Sequence, residues 1–202
     1  MNDFGFYLVI TNPVVGYAKC AEAAVRAGVK IVQLRMKRAA REDILREARE
    51  MRRVTRGTGT LCIVNDDPAI AAEAEADGVH VGQDDMSPAE VRAKFPQLKV
   101  VGLSTHNLDQ VRASLDQPID YIGVGPVYAT PTKEIPDPTL GPEMAGRMIA
   151  SARVPAVAIG GINAETLPAV LAAGARNFAV VRAVCQSPDP YSAIKSLMEQ
   201  HA

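Results

Sequence analysis

Residues 60–90 read TLCIVNDDPAIAAEAEADGVHVGQDDMSPAE, and this stretch holds one complete structural repeat and the start of the next. The apolar run at 60–64 has the composition of a buried strand. It ends in Asn65-Asp66-Asp67-Pro68, where Asp67 can cap a helix and Pro68 can occupy its first position. The alanine-rich segment 69–76 suits a helix packed closely on strands, and a second apolar run begins near residue 77. That run ends in Gln83-Asp84-Asp85, and Ser87-Pro88-Ala89-Glu90 behind it has the spacing of a capping box.

The same rhythm extends in both directions. Apolar runs begin near residues 6, 29, 60, 77, 98, 119, 154 and 176. Between them lie segments of helical character: 41–56 carries Ile44, Leu45, Ala48, Met51 and Val54 at helical spacing, and Asn163 and Asp189-Pro190 are starts for helices 7 and 8. Strands alternating with helices pack as a parallel sheet, because each crossover returns the chain to the same edge. Eight such units predict a closed (β/α)8 TIM barrel of the α/β class. At 202 residues the chain is near the lower size limit for this fold, about 200 residues. We therefore expect one domain over 1–202.

Bulk composition narrows the function. With 48% hydrophobic and 22% charged residues, the chain can bury a core and has no disorder signature. The net charge is −1 and its cations are dispersed, which leaves no basic footprint for nucleic acid or a membrane surface. Cys20, Cys62 and Cys185 have neither paired spacing nor histidines placed for zinc, and read as plain thiols in a reducing compartment. No basic leader precedes the first apolar run, and no run approaches the roughly 18 residues needed to span a bilayer. The expected location is the cytoplasm; nothing in the sequence fixes the oligomeric state.

In a parallel barrel every strand C-terminus opens on one face, so residues distant in sequence converge there. The strand ends are Thr11-Asn12, Gln33 to Lys37, Asn65 to Asp67, Gln83 to Asp85, Ser104 to His106, Gly125 to Lys133, Gly160 to Asn163 and Val181-Arg182. Asp66 and Asp85 end neighbouring strands without Cys or His beside them, a donor pair suited to a hard cation such as magnesium. Asp67 and Asp84 are the adjacent candidates, with Asp67 read as a helix cap. Gln33, Arg35 and Lys37 alternate, which places all three on one side of an extended segment, with Val32 and Leu34 on the other. With Lys133, they supply the cations that a metal-bearing pyrophosphate needs. Gly160-Gly161 and Val181-Arg182 stand where barrels often bind a phosphate, although the glycines also suit a tight turn. Ser104 and His106 lack an acidic partner for a hydrolytic triad and read as ligand-binding groups. His80, inside strand 4, reads as a packed histidine. Residues 126–141 hold five of the chain's 14 prolines when Pro142 is included, which argues against a regular element and for an active-site lid.

Gln33-Leu34-Arg35-Met36-Lys37, Asn65-Asp66-Asp67, the run from Gly78 to Asp85, Gly102 to His106, Gly123 to Lys133 and Ala158 to Ile162 together resemble thiamine phosphate synthase. The resemblance follows family order over nearly the whole chain. It implies a transferase of thiamine biosynthesis that joins hydroxymethylpyrimidine pyrophosphate to thiazole phosphate, releasing pyrophosphate, with magnesium as cofactor and small molecules as its partners. By the same likeness Gln33, Leu34, Arg35, Met36, Lys37, Asn65, Ser104 and Lys133 contact the pyrimidine pyrophosphate. Arg35, Lys37, Lys133 and Ser104 carry the catalytic roles, and Asp66 and Asp85 hold the metal. Thr130, Pro131, Thr132, Gly161, Val181 and Arg182 bind the thiazole phosphate. One departure stands out: the family commonly has Val-Ser where this chain has Val181-Arg182.

Three other chemistries use part of this set. A thiazole tautomerase needs the phosphate site and His106 but has no use for the aspartate pair, Arg35 or Lys37. A Schiff base at Lys133 needs burial or a cationic neighbour to depress the lysine, and Lys133 lies in a polar loop. A non-catalytic phosphometabolite binder explains the glycines and leaves the charged residues idle.

Overall fold

The computed structural model describes residues 3–130 and 138–201. Eight strands appear in the expected order: β1 (Phe6–Ile10), β2 (Ile31–Leu34), β3 (Leu61–Asn65), β4 (Gly78–Val81), β5 (Val100–Thr105), β6 (Tyr121–Val124), β7 (Ala156–Ile159) and β8 (Asn177–Val180). Each pairs in parallel with the next, and β8 closes on β1 through Phe6 with Phe178, Tyr7 with Ala179 and Leu8 with Val180. The helices are α1 (Tyr17–Ala27), α2 (Arg41–Thr55), α3 (Pro68–Glu73), α4 (Pro88–Lys94), α5 (Leu108–Ser114), α6 (Gly141–Ala150), α7 (Leu167–Ala172), α8 (Arg182–Cys185) and α9 (Pro190–Glu199).

Period-two alternation divides the strand residues into two cores. Phe6, Leu8, Val32, Leu34, Val64, Val79, Val101, Ile122 and Phe178 face the helices and form the larger core with α-helical residues such as Leu45, Ala48 and Met51. Tyr7, Val9, Ile31, Ile63, Val100, Tyr121, Val157 and Ala179 fill the lumen. All three cysteines are free and buried, Cys20, Cys62 and Cys185 alike.

Local signals explain several helix starts. The Asp67 carboxylate accepts from the Ile70 N–H at 2.9 Å, with Pro68 at the first helical position. Ser87 and Glu90 close the capping box of α4. Asp189 accepts from the Ser192 N–H at the start of α9.

Three expectations need correction. The second apolar run begins at Val29, yet β2 starts at Ile31. Gly28 ends α1 in the left-handed conformation and the Val29 N–H bonds back to the Ala24 carbonyl, so Val29 belongs to the helix cap. Asn163 does not cap α7; its side chain accepts from the Glu165 and Thr166 N–H groups in a turn, and the helix begins at Leu167. The short helix α8 follows β8 directly, ahead of the helix that Asp189 caps.

Closure demands close strand approach at β4. A Cβ on Gly78 would lie 2.1 Å from the Val100 carbonyl oxygen, a backbone atom that cannot give way. Gly78→Ala is therefore expected to lower the unfolding free energy by about 1–3 kcal/mol, the usual cost of overpacking, read as a lower midpoint in urea. A midpoint equal to that of the unaltered chain would contradict this account of the β4–β5 contact.

Candidate active site

The strand C-termini surround a cavity of about 850 Å³. Gln33, Arg35 and Lys37 all line it. Leu34 and Met36 do not: Leu34 is buried in the helix-facing core and Met36 packs against that core. Any contact of these two residues with substrate would therefore run through their backbone, because the alternation that brings their neighbours to the cavity turns their side chains away. Thr11 and Asn12 also lie outside the lining; Asn12 instead joins β1 to Tyr17 and Gln186.

On the adjoining arc, Asn65, Asp66, Asp85 and Ser104 line the same cavity. Asp66 has a φ of 67°, an unusual backbone for a residue other than glycine, held by a 2.8 Å bond from its N–H to the His80 carbonyl. Its carboxylate is paired with the Lys37 ammonium. Asp85 accepts from the Gly82 N–H at 2.7 Å. Burial, and then the nearby Asp66, hold the Asp85 carboxyl above the ordinary range, against the pull of the Gly82 bond and Lys37. Two neighbouring carboxylates beside open space fit a divalent cation with oxygen ligands. Magnesium ordinarily takes one or two protein carboxylates, so a pair suffices; no cluster of three or more His, Cys, Asp or Glu donors occurs among the described residues. Arg35 is partly withdrawn from water, which lowers its pKa, and Asp66 offsets part of that effect.

The third wall is the predicted phosphate cradle. Gly161, Val181, Arg182 and Thr130 line the cavity. Gly160 and Gly161 have φ of 108° and 65°, and a Cβ on Gly161 would lie 2.7 Å from the Tyr128 Cβ. The Val127 and Tyr128 N–H groups bond to the Ile159 and Gly160 carbonyls, so glycine here lets the chain after β6 lie flat along β7. Pro131, Thr132 and Lys133 lie outside the described residues. His106 lines the cavity with its Nδ1 donating to the Gly125 carbonyl at 2.6 Å.

The floor holds residues that the sequence reading passed over. His80 is not simply packed: it lines the cavity, 3.0 Å from the Tyr121 hydroxyl by Nδ1 and 2.9 Å from the Ser104 hydroxyl by Nε2. Tyr121 lies 2.8 Å from the Tyr7 hydroxyl, which accepts from Gln33 Nε2 at 2.7 Å. The available signal was polar residues at lumen-facing positions of strand interiors, below the strand ends. Burial pushes the His80 imidazole down to about 4, so the floor is neutral while the mouth is charged.

The sequence profile described as "Thiamine monophosphate synthase" matches residues 6–184. A thiamine-phosphate synthase of Azorhizobium caulinodans is 38% identical over 198 residues, covering 96% of this chain and 93% of its own length. One from Synechococcus sp. strain CC9605 is also 38% identical, covering 95% of this chain. The chain spans about half of that longer relative, 54% of its length. Among solved structures, a thiamine phosphate pyrophosphorylase from Pyrococcus furiosus superposes with a TM-score of 0.89 at 27% identity, covering 99% of this chain and 96% of that one.

The neutral histidine sets a pH limb. Between pH 6.5 and about 4 the unfolded chain takes up a proton that folded His80 refuses, so stability falls as pH falls through that window. The raised Asp85 works in the opposite sense, favouring the folded state as its carboxyl protonates. In urea unfolding at stepped pH, His80→Gln should flatten the acid limb by up to about 1.4 kcal/mol per pH unit, the most one proton can contribute. Identical slopes in both proteins would contradict the assignment.

Proposed function

Because the chain belongs to the thiamine monophosphate synthase family, we propose that it joins hydroxymethylpyrimidine pyrophosphate to thiazole phosphate, giving thiamine phosphate and pyrophosphate. The observation that carries this reading is the meeting of Arg35, Lys37 and the Asp66–Asp85 pair on one side of a cavity whose other side is built on Gly160 and Gly161. One half suits a metal-bearing pyrophosphate; the other suits a second, phosphorylated substrate.

Asp66 and Asp85 would hold magnesium, which when bound offsets the charge that builds on the departing pyrophosphate. Arg35 can grip that pyrophosphate with a planar fork, and Lys37 can follow it as a mobile point charge. Lys133, assigned by sequence match, is proposed to join them. The bond that breaks lies between the pyrimidine methylene carbon and the pyrophosphate oxygen, and its electron pair leaves with the oxygen. The ring amino group feeds electrons toward the cationic carbon. The thiazole nitrogen then forms the new carbon–nitrogen bond with its lone pair, and the positive charge passes to the thiazolium ring.

No protein nucleophile is required, so the residues serve to position and to neutralise. The N–H groups near Gly161 and Val181, with Arg182, orient the thiazole phosphate. The guanidinium of Arg182 adds charge where relatives commonly carry serine. Water would capture the cation, so the site must exclude it; the lid expected from the sequence over 126–141 lies in part outside the described residues. No helix among the described residues is long and apolar enough to cross a membrane, and we place the enzyme in the cytoplasm.

The decisive test is a pyrophosphate-release assay with each substrate and magnesium omitted in turn. Release needing all three, with thiamine phosphate identified by mass spectrometry, is the expected result. Turnover without the thiazole phosphate would contradict it. Lys37→Ala and Asp85→Asn should each lower kcat by on the order of a hundredfold, as for loss of one charge-stabilising group. Asp85→Asn should also abolish the rise in Tm that magnesium with pyrophosphate gives the unaltered protein. An undiminished rise would remove Asp85 from the metal site.

A further inference from the structure

The floor of the cavity is a continuous chain of hydrogen bonds that crosses the barrel from β2 to β5. Gln33 Nε2 is 2.7 Å from the Tyr7 hydroxyl, which is 2.8 Å from the Tyr121 hydroxyl. Tyr121 is 3.0 Å from His80 Nδ1, and His80 Nε2 is 2.9 Å from the Ser104 hydroxyl. No buried side-chain N or O atom among the described residues lacks a partner. With Gln33 Nε2 turned toward Tyr7, an arrangement in which every hydroxyl proton finds an acceptor runs in one direction along the chain.

The Gln33 amide nitrogen can only donate, so Tyr7 accepts from it. The Tyr7 proton is left for Tyr121, and the Tyr121 proton is left for His80 Nδ1. With Nδ1 accepting, the neutral imidazole carries its hydrogen on Nε2 and donates to Ser104. Ser104 accepts from below, which leaves its own proton for the cavity. At the far end the Gln33 amide oxygen is the atom left for the cavity. The order rests on Gln33, because turning its amide over would reverse each link and exchange donor for acceptor at both ends.

We propose that this relay fixes the polarity of the pyrimidine site: Ser104 meets its ligand as a donor and Gln33 as an acceptor, selecting an edge with an acceptor ring nitrogen and a donor amino group. This rests on the synthase reading, in which both residues contact the pyrimidine. A 4-aminopyrimidine has that edge. A 4-oxopyrimidine has the opposite one, a carbonyl acceptor beside a ring N–H. Tyr7, Tyr121 and His80 are positioning residues that set the two ends.

The barrel makes room for the relay. A Cβ on Gly102 would lie 2.2 Å from the Tyr121 ring and 2.5 Å from His80 Nδ1, so glycine at this lumen position admits their stacked rings, 5.4 Å apart at 29°. Phe4 packs edge-on against both tyrosines, at 6.1 and 6.0 Å, and seals the relay from below.

The test has two arms. Nitrogen-15 NMR of the whole protein without ligand should find His80 protonated at Nε2 and bare at Nδ1; hydrogen on Nδ1 would overturn the proposal. Competition binding with magnesium should then favour the 4-amino pyrimidine pyrophosphate over its 4-oxo analogue by about a hundredfold, the effect of two reversed hydrogen bonds. Tyr121→Phe, which cuts the relay and retains the ring, should narrow that preference to about tenfold or less. An unchanged preference would overturn the relay, because a purely structural loss weakens both ligands alike. Binding of neither pyrimidine would overturn the synthase reading instead, and the tautomer would then decide the relay alone.

Discussion

Closure of eight parallel strands is the constraint on which the rest of this structure depends. Once β8 pairs with β1, no edge remains, and each strand residue faces either the lumen or the helices. A slip of one residue would exchange the two sets and bury Arg35 and Lys37 against the helix layer. The same closure brings Asp66 of the β3 end within reach of Lys37 from the β2 end, across 29 positions of sequence. Electrostatics at the mouth follows from this geometry. Asp66 is paired, while Asp85 sits beside it with a raised pKa.

The lumen is graded along its axis. Its lower layers are apolar and aromatic, its floor is polar but neutral, and its mouth is charged. A neutral floor suits an uncharged ring, and a charged mouth suits phosphates. Burial enforces the grading, since it holds the His80 imidazole neutral and keeps the Tyr7 and Tyr121 hydroxyls protonated.

Much of this was legible in the sequence, and particular residues show why. Asp67-Pro68 and Ser87 to Glu90 are local signals whose physics lies within four residues, and both appear as helix starts. The alternation of Gln33, Arg35 and Lys37 predicted a shared side, and all three line the cavity. The same rule turns the side chains of Leu34 and Met36 to the helix layer. The relay was not legible: Tyr7, His80 and Tyr121 lie inside strands, where a polar residue looks the same whether it fills a core or faces a ligand. Their partners are 24 to 114 positions apart, and only the closed barrel brings them together. Asn163 misled for a different reason, because an asparagine that turns the chain and one that caps a helix use the same oxygen.

The proposed chemistry needs the departing pyrophosphate to be held by a divalent cation on Asp66 and Asp85 at this mouth. Anomalous diffraction from crystals grown with manganese, as an oxygen-seeking stand-in for magnesium, and pyrophosphate tests it most directly. The predicted result is a manganese peak coordinated by both carboxylates, with pyrophosphate oxygens completing its shell beside Arg35 and Lys37. Manganese bound elsewhere, or pyrophosphate seated at Gly161 with Asp66 and Asp85 bare, would contradict it.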